Sequence, residues 1–315
     1  MTCRDATAGQ LPARGRGGGS VDLRAILMGL AFALMWSSAF SSARMIVADA
    51  SPLAALGLRF LISGTIGVGL AAAFGQTARL TAAQWRGTVI FGLCQNALYL
   101  GFFFVAMRSL EAGLASIIAS TMPLLVALIG WLAFGARLRP LAWAGLAAGT
   151  VGVVLIMGTR LSGGVDLVGL AMCVAGVLAL AFATLAVRGA TSGGNLLMVV
   201  GLQMLVGAAA LALAAATFEE VAVTVTPRLA AAFAYSVLVP GLLATWVWFR
   251  LVGRIGAVRA AAFHFLNPFF GVLIAWALLG ERFGPWDLVG VAIIAAGILA
   301  VQASRRGDDA DAVRR

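Results

Sequence analysis

The sequence contains ten apolar runs of about 20 residues, the length that a membrane-spanning helix needs, with connectors of only a few residues between them. At 1.5 Å per residue, a helix of that length covers the roughly 30 Å of hydrocarbon in a bilayer. Hydrophobic residues make up 62% of the chain and charged residues 11%, which is more apolar side chain than a soluble core of this size can bury. The chain is therefore predicted to be an all-α integral membrane protein.

The short connectors leave no room for a soluble catalytic or nucleotide-binding domain. Residues 1–20 are predicted to be a disordered cytoplasmic tail, and residues 305–315 a second cytoplasmic tail. A cleaved signal peptide is disfavoured because the first apolar run is too long for one. The predicted spans are 25–47, 52–75, 87–107, 111–134, 140–158, 166–188, 195–217, 229–249, 258–279 and 286–304.

Every basic residue is an arginine, since the sequence contains no lysine. The chain therefore lacks a Walker A lysine and a Schiff-base lysine, which excludes ATP-driven pumping by this chain and retinal-based transport. Most arginines fall at the same ends of the predicted spans, and the positive-inside rule then places both termini in the cytoplasm. The arginines left outside are Arg44, Arg108, Arg160, Arg228 and Arg282.

One stretch of sequence occurs twice in similar form, and we call it the repeated line. PLLVALIGWLAFGARLRP at 123–140 matches PFFGVLIAWALLGERFGP at 268–285, and nearly the same offset aligns segments along the whole chain. The sequence thus predicts two homologous repeats, at 25–158 (helices 1–5) and 166–304 (helices 6–10). Since five spans is an odd number, the second repeat must be inverted relative to the first. Two inverted repeats around a cavity are the architecture of alternating-access transporters.

The second copy carries Glu281 where the first has Ala136. Acidic residues contribute little to orientation, so the positive-inside rule does not explain the difference. Glu281, next to Arg282, is interpreted mainly as a helix-end cap and ion pair, with a role in gating as the alternative.

Several segments carry a family resemblance: WSSAFSSARMIV in the first span, SPLAALGLRF in the second, SLEAGLASIIASTMP leading into the fourth, and the Pro…Gly-Glu-Arg pattern of the ninth. Over residues 25–304 the chain resembles the EamA-type branch of the drug/metabolite transporter superfamily. The resemblance implies a 5+5 inverted-repeat fold in the bacterial inner membrane that carries small metabolites outward, often amino acids or related carboxylated compounds. It also implies a central cavity surrounded by the first four helices of each half. The chain departs from the pattern at Ala136, where the family usually has Glu.

Polar groups deep in a span are costly, so they are candidates for a substrate site. Arg59 lies about 12 Å into the second span and either attracts an anionic group in the cavity or bonds helix-end carbonyls or Glu111. Its counterpart in the second repeat is Gln203. On the ninth span His264 and Asn267 share a face, and His264 either carries a proton or bonds a backbone carbonyl.

Hydroxyl, amide and aromatic groups in other spans complete the predicted substrate site. The serines either line the cavity or allow close helix packing. One histidine and three scattered cysteines give neither a metal site nor a disulfide framework, and no cofactor is predicted. These further candidates are Trp36, Ser37, Ser41, Gln95, Tyr99, Ser116, Ser120 and Trp246.

The pattern as a whole favours a secondary transporter, with export as the expected direction, of small polar metabolites. An enzyme is disfavoured because the sequence shows no cluster of catalytic acids, histidines or a nucleophile with its base. The alternative is a translocase of lipid head groups or lipid-linked sugars, while a passive channel would need a continuous polar stripe. The expected partners are a small-molecule substrate and the lipid bilayer, with a homodimer also considered and no nucleic acid.

Overall fold

The computed structural model describes residues 22–135, 138–162, 164–186, 195–255, 260 and 262–313. The predicted tail at 1–20 and Ala136 lie outside these ranges. Within them the chain consists of helices and their connections, and the one strand-like pairing is an isolated bridge between Ala50 and Val223. The predicted all-α class is confirmed for this part of the chain.

The described residues of the first half of the chain form seven helices. A π-helical segment, Gly92–Tyr99, joins the third to the fourth, so that these two form one continuous rod. The helices are α1 (Leu23–Asp49), α2 (Pro52–Ala73), α3 (Ala82–Phe91), α4 (Leu100–Ala106), α5 (Ala112–Ser120), α6 (Met122–Phe134) and α7 (Pro140–Ser162).

Within the described ranges, the second half forms six further helices. A second π-helical segment, Val237–Leu243, joins two of them, and a 3-10 turn, Ala262–Leu266, precedes another. The helices are α8 (Leu167–Ala186), α9 (Leu196–Phe218), α10 (Pro227–Ser236), α11 (Ala244–Ile255), α12 (Asn267–Leu279) and α13 (Pro285–Val313).

Nine helical stretches in the described ranges are long and apolar enough to cross a membrane. Two of them are composite: Ala82–Ala106 combines α3 and α4, and Pro227–Ile255 combines α10 and α11. Residues 258, 259 and 261 of the predicted ninth span, 258–279, lie outside the described ranges, which contain the apolar helix Phe263–Leu279. The chain therefore has the helices of a multi-pass membrane protein, while the count of ten spans stays a prediction.

The two copies of the repeated line adopt the same backbone conformation at their ends. Gly135 and Gly280 terminate α6 and α12 with φ angles of 60° and 67°, in the left-handed region that favours glycine. Pro140 and Pro285 then open α7 and α13, where a missing N–H costs nothing. The sequence repeat is thus a repeat of local structure.

Helices α7 and α13, the last of each predicted repeat, pack antiparallel through glycines. A Cβ added at Gly145 would lie 2.6 Å from the carbonyl oxygen of Gly297, and one at Gly152 would lie 2.8 Å from that of Gly290. Residues later in α7 therefore contact residues earlier in α13, which shows that the two helices run in opposite directions. These glycines are positions of close helix packing.

Helices α2 and α9, the second of each predicted repeat, also run antiparallel. Gly57 lies against Leu211, whereas Gly67, three turns later, lies against Gly201. Helices in corresponding positions of the two repeats therefore point in opposite directions in both pairs, as an inverted arrangement requires.

Candidate functional site

Three helices meet at the backbone carbonyl of Asn267. Ser37 on α1 and Ser116 on α5 both donate a hydroxyl hydrogen bond to this oxygen, at 3.2 and 3.3 Å. All three residues are buried, and the side-chain Oδ1 of Asn267 has no hydrogen-bond partner among the described residues. The structure therefore brings three predicted site residues from both halves of the chain to one point in the interior.

Gly271 allows α5 and α12 to touch beside this point. A Cβ at Gly271 would lie 1.8 Å from the Oγ of Ser116, which is far closer than two atoms can approach. One turn along α5, the hydroxyl of Ser120 donates to the backbone carbonyl of Ser116 at 2.7 Å and is thus satisfied within its own helix. Of the two predicted serines on α5, Ser116 is the one that links the helices.

Arg59 is a buried cation about two turns into α2. It is only 7% exposed, and its Nε has no hydrogen-bond partner in the part of the chain that the structure describes. Its guanidinium carbon lies 5.6 Å from the ring centre of Phe60. One turn later, Ser63 is also buried and its hydroxyl lacks a partner, as does that of Ser41 on α1. These groups can donate hydrogen bonds to an anion.

His264 lies among three aromatic side chains. Its ring centre is 5.1 Å from those of Phe32 and Trp248, and 6.4 Å from that of Trp36. All three contacts are edge-on, which suits a ring whose edge carries polar N–H or C–H groups. The imidazole therefore joins the 3-10 turn before α12 to α1 and α11, and it places the predicted residues Trp36 and His264 side by side.

The π-helical segment in the third span changes which amide side chain reaches the second half. The Nδ2 of Asn96 donates to the backbone carbonyl of Gln203 on α9 at 2.9 Å, and Asn96 is buried whereas the predicted Gln95 is half-buried. In a regular α-helix the predicted site residues Gln95 and Tyr99 would share a face. A π turn adds residues to each turn and shifts that register.

Two other predicted residues, Tyr99 and Trp246, each pack against a neighbouring side chain. Tyr99 is buried, and its ring packs on Phe103 with 4.7 Å between ring centres. Trp246 is 55% exposed, and the guanidinium carbon of Arg250 lies 5.0 Å from its ring centre. This is the arrangement of an aromatic residue at a membrane interface. The substrate roles of these residues stay predictions.

A cavity of about 610 Å³ opens at the end of the bundle where α1 ends and α10 begins. We call it the arginine cavity, because Arg44, Arg108, Arg228 and Arg282 line it. The positive-inside rule assigns all four to one side of the membrane, whereas their convergence on one cavity is visible only in the fold. The full lining is Arg44, Val47, Ala48, Arg108, Glu111, Arg228, Leu279, Gly280, Glu281 and Arg282.

Glu281 caps a helix of the other half of the chain at the edge of this cavity. Its Oε1 accepts the backbone N–H of Ala112 at 2.7 Å, and its Oε2 accepts that of Gly113 at 2.9 Å. Burial raises the pKa of this carboxyl above its usual value, and the two N–H groups oppose that effect only in part. The expected helix cap is confirmed, although the capped helix α5 is 169 residues away in sequence. The expected ion pair of Glu281 with Arg282 does not form among the described residues.

Glu219 makes an equivalent contact at the start of α2. Its carboxylate accepts the backbone N–H groups of Leu53 and Ala54 at 3.0 to 3.1 Å. The sequence predicts the segment around Glu219 to be a loop or a short interfacial segment. In the sequence, the only indication is that Glu219 and Glu220 stand next to each other before the connection to α10. That pattern does not identify a partner in a distant helix.

The sequence profile of one transporter family matches the chain twice, over residues 23–158 and again over residues 167–302. The chain belongs to the EamA-like transporter family. A matched crystal structure covers 90% of this chain and 98% of its own, with 23% identity and a TM-score of 0.64, and so supports the fold of this EamA-like protein.

Full-length relatives of this EamA-like protein are themselves named as transporters. It is 25% identical over 283 residues to the uncharacterized transporter YvbV of Bacillus subtilis, covering 89% of this chain and 92% of the relative. It is 26% identical over 286 residues to the uncharacterized inner membrane transporter YedA of Escherichia coli K12, covering 87% and 90%. Family, relatives and apolar helices together identify a multi-pass membrane transporter.

Proposed function

We propose that this protein is a secondary transporter that exports small polar metabolites, such as amino acids or related carboxylated compounds. The observation that carries the substrate class is the buried guanidinium of Arg59, whose Nε has no partner in the described ranges. The solute crosses by alternating access between two inverted repeats of five helices each.

The charge on Arg59 persists in every state of the protein, because arginine does not lose its proton in proteins. A central arginine costs about 2.5 to 3.5 kcal/mol on insertion into a membrane, so a site that keeps one needs a compensating partner. A carboxylate can supply this partner through charge-assisted hydrogen bonds. The unpartnered Oδ1 of Asn267 is an acceptor that an ammonium group could use, which suits a solute that carries both groups.

Antiparallel packing of α2 on α9 and of α7 on α13 supports alternating access. In both pairs, helices that hold the same position in each repeat run in opposite directions. Exchange of conformations between two such halves would turn one cavity from one membrane face to the other. We infer ten spans, with Phe263–Leu279 as part of the ninth.

The distribution of arginines supports a cytoplasmic location for both termini. The inner membrane of a bacterium is the compartment named for the relative YedA, and we propose the same for this chain. Export is the direction that the family resemblance implies.

Metabolite profiling tests this function. Cells that overproduce the protein should release one or a few carboxylated metabolites into the medium and hold less of them in the cytoplasm, relative to cells that lack it. The solute so identified should then undergo counterflow in liposomes that contain the purified protein. Unchanged profiles for all carboxylated metabolites, or retention of one in the cytoplasm with loss from the medium, would refute the proposal of export.

A further inference from the structure

We propose that the arginine cavity is an anion-binding vestibule at the external mouth of the transporter, whose ligand carries a carboxylate or phosphate group. The external position of the cavity rests on the orientation given under the proposed function. Its affinity for anions is independent of that orientation, because the affinity depends only on charges and distances within the cavity.

The four cations of the cavity come from four separate segments. Arg44 lies near the end of α1, Arg108 after α4, Arg228 at the start of α10 and Arg282 after α12. Arg44 donates a hydrogen bond through Nη1 to the backbone carbonyl of Met107, which fixes one edge of its guanidinium. Within the described chain, none of the four lies within salt-bridge distance of a carboxylate.

The two carboxylates that line the cavity offset only part of its positive charge. Glu281 interacts electrostatically with Arg44, and both of its oxygens also accept N–H groups at the start of α5. Glu111 is the second acid, so the lining holds four positive and two negative side chains. An excess of positive charge at the walls of a concave site raises the local concentration of anions. Guanidinium groups also match the geometry of carboxylate and phosphate oxygens.

The volume and the location of the cavity both fit a ligand site. A volume of about 610 Å³ lies within the range of about 300 to 1,000 Å³ that is typical of small-molecule sites. The positive-inside rule disfavours arginine on the external face, yet four of the arginines assigned to that face converge on this one cavity. Membrane insertion does not account for that convergence, whereas attraction of an anion does.

The anionic group could belong to a dissolved solute or to a lipid head group. Both present the same oxygens to the arginines, so the site has one chemistry and two sources of ligand. The experiment must therefore separate the sources, and it must not depend on transport.

A cysteine at position 48 provides a local probe. Ala48 lines the cavity and is exposed, so Ala48→Cys places a thiol there with little structural change. Purified Ala48→Cys protein in a neutral detergent is labelled with an anionic and with a cationic methanethiosulfonate of similar size. Each rate is divided by that of the same reagent with a free thiol, and the unsubstituted protein gives the background from its native cysteines.

The anionic reagent should react about tenfold faster than the cationic one, and salt near 1 M should remove most of the difference because the Debye length falls to about 3 Å. In the Ala48→Cys protein, a further Arg228→Gln or Arg282→Gln substitution should slow the anionic reagent about twofold and accelerate the cationic reagent about twofold. This is the Coulomb effect of one unit charge at roughly 8 Å in water. Arg86→Gln, an exposed position on α3 away from the cavity, is the matched control and should change neither rate. Val221→Cys, exposed in the α9–α10 connection, should not show the anionic preference.

Protection of the thiol then identifies the ligand. Millimolar succinate or inorganic phosphate should slow labelling in detergent at constant ionic strength, while the neutral solute erythritol should not. Protection by phosphatidylglycerol nanodiscs, absent in phosphatidylcholine nanodiscs, would support the same anion site with a lipid head group as its ligand. Equal rates for the two reagents, with no protection by succinate, phosphate or phosphatidylglycerol, would overturn the proposal and leave the proposed transport activity untouched.

Discussion

The carboxylate of Glu281 accepts the backbone N–H of Ala112 at 2.7 Å, and this contact joins the second copy of the repeated line to the first half of the chain. The first copy has Ala136 at the equivalent position, so the chain lacks a carboxylate there for a matching contact with the second half. The repeats are therefore alike in backbone at Gly135 and Gly280 but unlike in the bond that ties the halves together.

Stability should depend on pH through Glu281. Because burial raises the pKa of this carboxyl in the folded protein, the folded state binds its proton more tightly than the unfolded chain does. Its contribution thus favours folding at low pH and is lost as the pH rises through the folded pKa. Glu281→Gln should remove this contribution and so flatten the pH profile of the melting temperature above about pH 4, where an unperturbed glutamate begins to ionise, relative to wild type.

The exposed neighbour of the other capping acid provides the control for this measurement. Glu220→Gln removes a carboxylate from the connection after α9 without touching a cap, and should leave the pH profile as in wild type. A Glu281→Gln profile that runs parallel to the wild-type profile would show that Glu281 does not titrate differently on folding.

Gly271→Ala should destabilise the protein by about 1 to 3 kcal/mol, because its methyl group would overlap the Oγ of Ser116 in a packed interior. Adding Ser116→Gly removes the opposing side chain and should recover part of the loss. The measurement is thermal or denaturant unfolding in detergent. Gly69→Ala is the matched control, since a Cβ at this helical position has open space around it and should be neutral or stabilising. Equal stability of the two single variants would contradict the contact of α5 with α12.

The neighbouring amides Asn96 and Gln95 test the π-helical register. Asn96→Ala removes the hydrogen bond to the carbonyl of Gln203 and should cost about 0.5 to 1.5 kcal/mol. Gln95→Ala removes a side chain of similar chemistry that is half-buried, and it should cost less. The measurement is the free energy of unfolding of the two variants, compared with that of the wild type under the same conditions. A larger loss for Gln95→Ala would mean that the third span is a regular α-helix.

Much of the fold follows from sequence because it depends on local patterns. Apolar length predicts the spans, and the glycine and proline at the ends of the repeated line predict where α6 and α12 stop. The antiparallel pairing also follows, since an odd number of spans in each repeat reverses the second. The ninth span is not part of this comparison, since residues 258, 259 and 261 of its apolar pattern lie outside the described ranges, which contain the apolar helix Phe263–Leu279.

The site was less accessible to sequence reasoning because its contacts join distant segments. The cap of Glu281 was expected, but nothing local identifies Ala112 as its partner. Arg44 and Arg228 could be assigned to one face of the membrane, whereas their convergence on one cavity depends on the packing of α1 against α10. Asn96 was overlooked because a π turn is not visible in an apolar sequence.

The most direct test of the account is counterflow of the exported solute in liposomes that contain Arg59→Gln. The substitution removes the buried charge and retains a polar side chain, so transport should fall at least tenfold while thermal stability and elution in size-exclusion chromatography stay close to wild type. Arg86→Gln, which removes an exposed arginine from α3, should transport as wild type does. Wild-type counterflow by Arg59→Gln would contradict the central claim that this guanidinium binds the anionic group of the solute.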